Sequence, residues 1–289
     1  MTEARRIIVT ADDFGLDTRV NDAVERGCRD GILNSASLMV GASAAGDAVA
    51  RARRLPDLHV GLHLVLVDGR AVLPRERIPD LVDAAGRFDD NMARAGVRFA
   101  FSRRVRAQLA AEIRAQFEAF AATGLALDHV NTHKHFHLHP TILALIVDIG
   151  RDYGLRAVRL PHEPLTAGLR ITRRGAGRRV VGAVLLAPWL GHMRRRIARA
   201  GLVSPSRMLG LAATGHMNEA AMLAALAALP PGVSEIYCHP ATATGLTAPM
   251  ADYDHPSEFA ALISPRVRAT LAERRIGRTT FSELGAEAA

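Results

Sequence analysis

Cysteine, lysine and aromatic residues are scarce in this chain of 289 residues, and long apolar runs are absent. The two cysteines, Cys28 and Cys238, are too few for a disulfide framework or a thiolate zinc site, which indicates a reducing compartment. The longest apolar stretch, 180–193, is interrupted by a proline and falls short of the roughly 20 residues that span a bilayer. The first apolar run, 7–11, is too short for a secretory signal. The sequence therefore predicts a cytoplasmic protein with no membrane span.

Acidic residues are missing from one long segment, 165–218, which holds ten of the arginines. The formal charge of the whole chain is +8, so this segment carries most of the excess. No nucleic-acid-binding motif accompanies the arginines, and we therefore expect no nucleic-acid partner. The apolar run 180–193, which contains the single tryptophan Trp189, lies between two arginine clusters. This pattern predicts an Arg-rich helical insertion at 165–206 within a single domain, 1–289.

Apolar, β-branched runs alternate with longer segments of helical period along the whole chain. This rhythm predicts an α/β fold with a parallel sheet covered on both faces, and a (β/α) barrel in particular, because unusual polar residues follow several predicted strands. The predicted strands are 7–11, 36–40, 58–64, 127–132, 157–160, 208–211, 235–238 and 279–281. The predicted helices are 17–30, 44–54, 105–122, 140–153, 218–229 and 257–273, with Asp17, Asn218 and Ser257 as N-caps.

Histidines are concentrated in one short stretch, where His133, His135 and His137 alternate with other residues. If the extended geometry of the preceding strand continues, these residues share one face and up to three imidazoles point into the barrel mouth. Imidazoles suit Zn, Fe, Ni and Cu, and a neighbouring carboxylate widens the choice towards Mn or Mg. We therefore predict a metal site here; the alternatives are a hydrogen-bonded structural cluster and a solvated turn.

Other polar residues follow strands that should open into the same mouth. Asp12 and Asp13 come directly after the first strand, and such a pair is sustained when a cation neutralises one carboxylate and the other accepts protons. His63 ends an apolar strand, with His59 as a competitor on the same face, and His239 ends another. A histidine in an apolar strand is more often a core residue, so position in the barrel is the argument for His63 and His239.

Six motifs in this order and approximate spacing resemble those of the YdjC-like, or ChbG-like, carbohydrate deacetylases, over nearly the whole chain. The match looks closest to the hopanoid-biosynthesis-associated branch. Two positions depart from the usual pattern: Asn131 replaces a common aspartate, and Ala241 a common glycine. The motifs are TADDFG (10–15), SASLM (35–39), GLHL (61–64), HKHFH (133–137), RLP (159–161) and EIYCHP (235–240).

The resemblance implies a variant (β/α) barrel related to polysaccharide deacetylases, with one divalent ion, Zn or Mg, bound by an aspartate and two histidines. Carried over by motif, the metal ligands are Asp13, His63 and His133. Asp12 is then the general base, and His239 is the acid that protonates the leaving amine. The resemblance also implies that His135 and His137 line the sugar site or replace a ligand, and that Arg159 binds substrate or orients a carboxylate.

The function implied is hydrolytic removal of acetyl from an N-acetylated sugar, with N-acetylglucosamine on a hopanoid lipid as the leading substrate. One alternative is a deacetylase of soluble disaccharides such as diacetylchitobiose, and another is a non-catalytic metal- or sugar-binding protein. A metallophosphoesterase would usually show more carboxylate ligands for two metals. If the substrate is linked to a lipid, we expect the segment 165–206 to make peripheral contact with the inner membrane surface. The alternatives are that this segment is a helix flanking the barrel or a homodimer contact.

Overall fold

A computed structural model describes residues 4–288 of the chain, apart from the side chain of Arg178. The strands are buried over most of their length, because residues on both faces meet apolar side chains, as a parallel sheet requires. The strands of the described part are β1 (Arg5–Phe14), β2 (Ser35–Leu38), β3 (His59–Leu64), β4 (Val130–Thr132), β5 (Arg207–Leu209), β6 (Gly232–Cys238) and β7 (Gly277–Arg278).

These strands form one parallel sheet in the order β4-β3-β2-β1-β6-β5, and β7 pairs with the start of β1. The predicted strand 157–160 is present only as single bridges, Val130 with Val158 and Ala157 with Val203. These bridges lie between β4 and the approach to β5, so they bring the two edges of the sheet together. The fold is therefore an α/β variant barrel, as predicted, with an irregular segment where a further strand was expected.

Helices follow most strands and cover the outside of the sheet. The N-caps Asp17 and Asn218 are confirmed: their side chains accept hydrogen bonds from the backbone N–H groups of Arg19 and Ala221. The helices of the described part are α1 (Thr18–Arg29), α2 (Ala45–Ala52), α3 (Met92–Phe101), α4 (Arg103–Ala122), α5 (Pro140–Gly150), α6 (Leu165–Ile171), α7 (Ala176–Arg199), α8 (Glu219–Ala228), α9 (His255–Ile263), α10 (Pro265–Glu273) and α11 (Phe281–Glu287).

Two predicted elements near the C-terminus are wrong. The helix expected over 257–273 is two helices, because Ser264 caps the second and Pro265 cannot continue the first. Asp254, rather than Ser257, caps the first of them. The strand expected over 279–281 lies at Gly277–Arg278 instead, as β7, and α11 begins at Phe281, where Thr280 and Glu283 form a capping box.

The segment 165–206 consists mainly of α6 and α7, and α7 lies with much of its length against solvent. Trp189 ties α7 to the barrel, because its indole N–H donates to the carbonyl of Leu138 at 2.9 Å. Met193 and Ile197, on the last turns of α7, are buried in the main core. Within residues 4–288, no helix combines the length and the apolar character that crossing a membrane requires.

Candidate active site

Five predicted site residues meet at the carboxyl ends of the strands. Asp12 and Asp13 lie at the end of β1, His63 in β3, His133 directly after β4 and His239 directly after β6. Because these strands run parallel in one sheet, side chains from distant parts of the sequence face one mouth. His59, the competitor of His63, lies at the other end of β3, with its Nδ1 3.9 Å from the carboxylate of Asp128.

Asp13, His63 and His133 form a compact buried cluster of potential metal ligands. One ligand atom from each lies within 4.8 Å of the others. Asp13 Oδ1 is 3.3 Å from His63 Nε2 and 3.2 Å from His133 Nδ1. Burial alone raises the pKa of Asp13, but the hydrogen bond from His133 and the charges of His133 and His63 outweigh this and hold the pKa well below its ordinary value. Asp13 is thus ionised, as a potential metal ligand must be.

The backbone is bent at both ends of this cluster. Asp13 has a φ of 62°, and the pairing of β1 with β2 shifts register between Ala11 and Phe14. This irregularity turns adjacent carboxylates in different directions, so that Asp12 and Asp13 have separate partners. Lys134 and His135 also have left-handed backbone conformations, with φ values of 54° and 53°. Non-glycine residues in this region are uncommon, and such strain is concentrated at functional sites.

The HKHFH stretch is therefore a 3-10 turn over His133–Leu138, and the expectation of an extended strand with three aligned imidazoles is wrong. His133 joins the ligand cluster. His135 lines the pocket at the barrel mouth, which leaves it available for substrate contact. His137 points elsewhere, because its two ring nitrogens contact Thr132 Oγ1 at 2.8 Å and the carbonyl of Arg159 at 2.9 Å. The fully buried His137 thus supports the turn and does not line the pocket.

Asp12 is held by an arginine at the base of the pocket. Arg159 donates to both oxygens of Asp12, at 2.6 and 2.9 Å, and also to Glu235 Oε1, at 2.6 and 2.9 Å. Burial raises the pKa of Asp12, but the charge of Arg159 more than compensates, so its pKa lies below the ordinary value. Arg159 itself is fully buried, so of the two roles expected for it the structure favours orienting a carboxylate.

His239 occupies the opposite wall between two tyrosines. Its ring lies 5.3 Å from that of Tyr237 and 5.2 Å from that of Tyr253, and its buried Nδ1 has no hydrogen-bond partner. Burial lowers the pKa of His239, while the carboxylates of Asp13 and Asp12 act in the opposite direction. The ring is therefore neutral at pH 7, and the two carboxylates are the groups that favour its taking up a proton.

Two residues that sequence reasoning missed fix the backbone at His239. Glu258 accepts the N–H groups of His239 and, at 2.8 Å, of Met217. His255 Nδ1 lies 2.6 Å from the carbonyl oxygen of His239. Burial raises the pKa of Glu258 to about 7. Neither residue belongs to a motif, since both come from α9 and reach His239 only through packing.

Asp68 and Lys134 were also missed, and they lie at the edge of the pocket. Their side chains form an ion pair of 2.7 Å, and both residues line the pocket that contains Asp12, His63, His133 and His239. The pocket has a volume of about 140 Å³. A water molecule occupies roughly 30 Å³ of liquid, so the pocket accepts an acetamido group with part of a sugar ring but not a disaccharide.

The donor set fits one divalent cation. Asp13 Oδ2 and His63 Nε2 are buried and have no hydrogen-bond partner. Leaving buried polar atoms unpaired costs free energy unless another group, such as a cation, binds them. Two imidazoles and one carboxylate are a donor set typical of catalytic zinc, and they also suit other first-row metals. One face of the cluster opens to the pocket through His63 and His133. These three residues would hold the ion and leave room for substrate.

Fold and site together define an α/β barrel with a carboxylate–histidine cluster at the carboxyl ends of its strands. The model of the YdjC-like protein family matches residues 6–273, and the chain belongs to that family. A solved structure from Enterococcus faecalis, of a protein with a proposed role in cellobiose-phosphate cleavage, has the same fold. Its TM-score is 0.74 at 24% identity, over 97% of this chain and 99% of that one.

Curated relatives named carbohydrate deacetylase match part of the chain. The protein from Brevibacillus brevis is 38% identical over 156 residues, which cover 54% of this chain and 59% of the relative. The protein from Geobacillus stearothermophilus is 35% identical over 161 residues, 56% of this chain and 60% of the relative. The chain thus spans about three fifths of the length of these relatives.

Proposed function

We propose that this protein removes the acetyl group from an N-acetylated sugar by metal-dependent hydrolysis. The observation that carries the proposal is the convergence of a metal-ligand cluster, an arginine-bound carboxylate and a histidine on one small pocket. The name carbohydrate deacetylase, borne by relatives in the family, supports the same reaction. A merely metal-binding or sugar-binding protein would have no need for an ionised Asp12 held at the pocket by a buried arginine.

The residues have separable roles in this reaction. Asp13, His63 and His133 would hold the ion, which when bound supplies Lewis-acid polarisation of a carbonyl and acidification of water. Asp12, ionised and oriented by Arg159, accepts a proton from the attacking water. His239, neutral in the resting site, takes up a proton from solvent and gives it to the nitrogen of the sugar amine as the C–N bond breaks. Acetate and the free amine leave, and the proton on Asp12 returns to solvent.

The finer proposal is that the sugar is N-acetylglucosamine linked to a hopanoid lipid. An apolar groove of about 500 Å³ runs between α7 and the barrel, and Leu211 lines both this groove and the pocket. Glu163 supports the shared wall by accepting the N–H groups of Gly210 and Ala212, at 2.8 and 2.9 Å. Apart from Glu163 and Arg179 the groove is lined by apolar residues and glycines, and a fused-ring hydrocarbon is the kind of aglycone that it suits.

A soluble disaccharide remains the second candidate, because a different cavity favours it. A cleft of about 530 Å³ shares His133, Pro249 and Met250 with the pocket. Charged residues line this cleft, among them Arg70 and Asp90, which are suited to binding sugar hydroxyls. The two substrates would thus extend from the same pocket in different directions.

Acetate release distinguishes the two substrates. The metal-reconstituted protein is incubated with detergent-dispersed N-acetylglucosaminyl hopanoid and with N,N′-diacetylchitobiose. We expect Leu186→Asp to reduce kcat/KM for the lipid at least tenfold and to leave the disaccharide rate unchanged, because Leu186 lines the groove. Val97→Asp is the control, since Val97 is 61% exposed on α3 and does not line the groove. Release from the disaccharide alone would overturn the lipid assignment, and release from neither would overturn the proposed reaction.

We further propose that α7 rests on an anionic membrane surface. Its middle exposes Val184 and Leu185, 68% and 72% accessible, and its last turns expose four arginines. Each arginine near an anionic bilayer contributes about 1 kcal/mol of attraction, and the apolar side chains enter the interface. These arginines are Arg194, Arg195, Arg196 and Arg199.

Vesicle sedimentation tests this contact. With vesicles containing phosphatidylglycerol, we expect Leu185→Glu to weaken binding at least fivefold, because a carboxylate enters a surface that must be apolar and cationic. Val97→Glu is the matched control: Val97 is 61% exposed on α3, away from this surface. Equal binding by wild type and Leu185→Glu would contradict the proposal. A dimer that Leu185→Glu dissociates would assign this face to a second copy instead.

A further inference from the structure

Asn131 connects the candidate metal cluster to the proposed general base. It lies on β4 in register with His63 of β3 and is fully buried. Its Oδ1 is 2.6 Å from His63 Nδ1, and its Nδ2 donates to Asp12 Oδ1 at 3.2 Å and to Ser37 Oγ at 2.8 Å. One carboxamide therefore contacts a metal ligand and a catalytic carboxylate at the same time.

The chemistry of its neighbours fixes the orientation of this amide. The ionised carboxylate of Asp12 can only accept hydrogen bonds, so the NH₂ group of Asn131 must face it. The amide oxygen is then left facing His63, and His63 must carry its proton on Nδ1. This tautomer leaves the lone pair of His63 Nε2 directed at the cluster, where the atom has no hydrogen-bond partner.

A buried chain behind Asn131 supports the same orientation. Ser37 Oγ accepts from Asn131 and lies 3.0 Å from His129 Nε2, and His129 Nδ1 lies 2.9 Å from Asp128 Oδ2. Asp128 is anchored in turn by the N–H and hydroxyl of Ser282, at 2.9 and 2.7 Å. The serine, histidine and aspartate are in the order of a hydrolase triad, but all three are buried and Ser37 is already engaged. They serve as a scaffold.

We infer that Asn131 is a positioning residue with two roles: it sets the tautomer of His63 for metal binding, and it orients Asp12 for proton transfer. The inference rests on the proposed metal site. The two roles use different atoms of one side chain, Oδ1 for His63 and Nδ2 for Asp12, so substitutions can separate them.

Two variants of Asn131 and one control test this. Asn131→Leu removes both contacts, and we expect zinc affinity, measured by calorimetry on the apo protein, to fall about 10–100-fold, with kcat lowered as well. Asn131→Asp keeps an acceptor for His63 but replaces the donor to Asp12 by a carboxylate oxygen. We expect it to keep zinc affinity within threefold of wild type, while kcat at saturating zinc falls at least tenfold with little change in KM.

Asn34→Leu controls for the loss of a buried amide. Asn34 is buried and bonds the backbone of Val9 and Thr279, away from the pocket. The Asn34→Leu variant should have a lower melting temperature than wild type and the same zinc affinity. Wild-type zinc affinity and kcat in Asn131→Leu would overturn the inference, and so would a loss of zinc affinity in Asn131→Asp as large as in Asn131→Leu. If Asn131→Leu does not fold, the comparison of Asn131→Asp with Asn34→Leu still tests whether Asn131 positions Asp12. Failure of wild type itself to bind zinc would instead overturn the proposed function.

Discussion

Replacement of Asp12 by asparagine is expected to lower kcat by a factor of about 10³ while zinc stays bound. General-base catalysis contributes roughly 10²–10⁴ to a rate, and an amide cannot accept the proton. The substitution keeps the shape of the side chain and one oxygen that can accept from Arg159. The measurement is acetate release at saturating substrate, with bound zinc determined on the same sample.

The structure offers a matched control for this variant in Glu235→Gln. Glu235 is the other carboxylate bound by Arg159, and it is equally buried. Each variant leaves Arg159 with one charged partner, so the free energy of unfolding should fall in both, by at most about 3–5 kcal/mol. Of these two carboxylates, Asp12 lines the pocket and Glu235 does not. Equal losses of kcat in the two folded variants would mean that Asp12 acts through stability and not as the base.

The parts of the site that sequence could predict are those in which a polar residue directly follows an apolar strand. Asp12 and Asp13 follow one apolar run, and His63 and His239 end two others, so the position of each along the chain indicated its place in the fold. Parallel strands then bring their carboxyl ends to one mouth, whatever their separation in sequence. These groups could therefore be placed together from the predicted strands alone, without knowledge of any side-chain contact.

The histidine-rich turn could not be predicted in the same way. Alternation of His133, His135 and His137 is the pattern of a strand, yet Lys134 and His135 adopt left-handed conformations that neither residue prefers. Tertiary contacts impose them: Thr132 Oγ1 accepts the N–H of His137, and the carbonyl of Arg159 receives the imidazole of His137. The strand period therefore wrongly predicted that the imidazole of His137 points into the barrel mouth.

Residues brought in by packing left no sequence signal. Asp68 lies in the long connection after β3, and Tyr253 and Glu258 lie near the start of α9, far from any histidine motif. By contrast, the break between α9 and α10 did have a local signal, the Ser264-Pro265 pair, which the helical period of 257–273 obscured.

Two histidines from the same turn provide the sharpest test of the metal site. His133→Gln is expected to lower zinc affinity by more than about 100-fold and to abolish acetate release, because one of three protein ligands is lost. His137→Gln should keep zinc stoichiometry and affinity, since its ring nitrogens contact Thr132 and the backbone of Arg159. Zinc is measured by calorimetry and by elemental analysis after dialysis.

The two variants should also differ in stability: His137→Gln should lower the free energy of unfolding, and His133→Gln should leave it nearly unchanged. His137 is fully buried, and burial lowers its pKa to about 3, so the ring is neutral at pH 7 and serves only through its hydrogen bonds and packing. Removing it leaves buried partners unsatisfied, at a cost of about 1–3 kcal/mol in the free energy of unfolding. In His133→Gln the new amide can still donate a hydrogen bond to Asp13, so this variant should melt within a few degrees of the apo wild type. Loss of zinc in His137→Gln with retention in His133→Gln would contradict the proposed site, because the third ligand beside Asp13 and His63 would then be His137 and not His133.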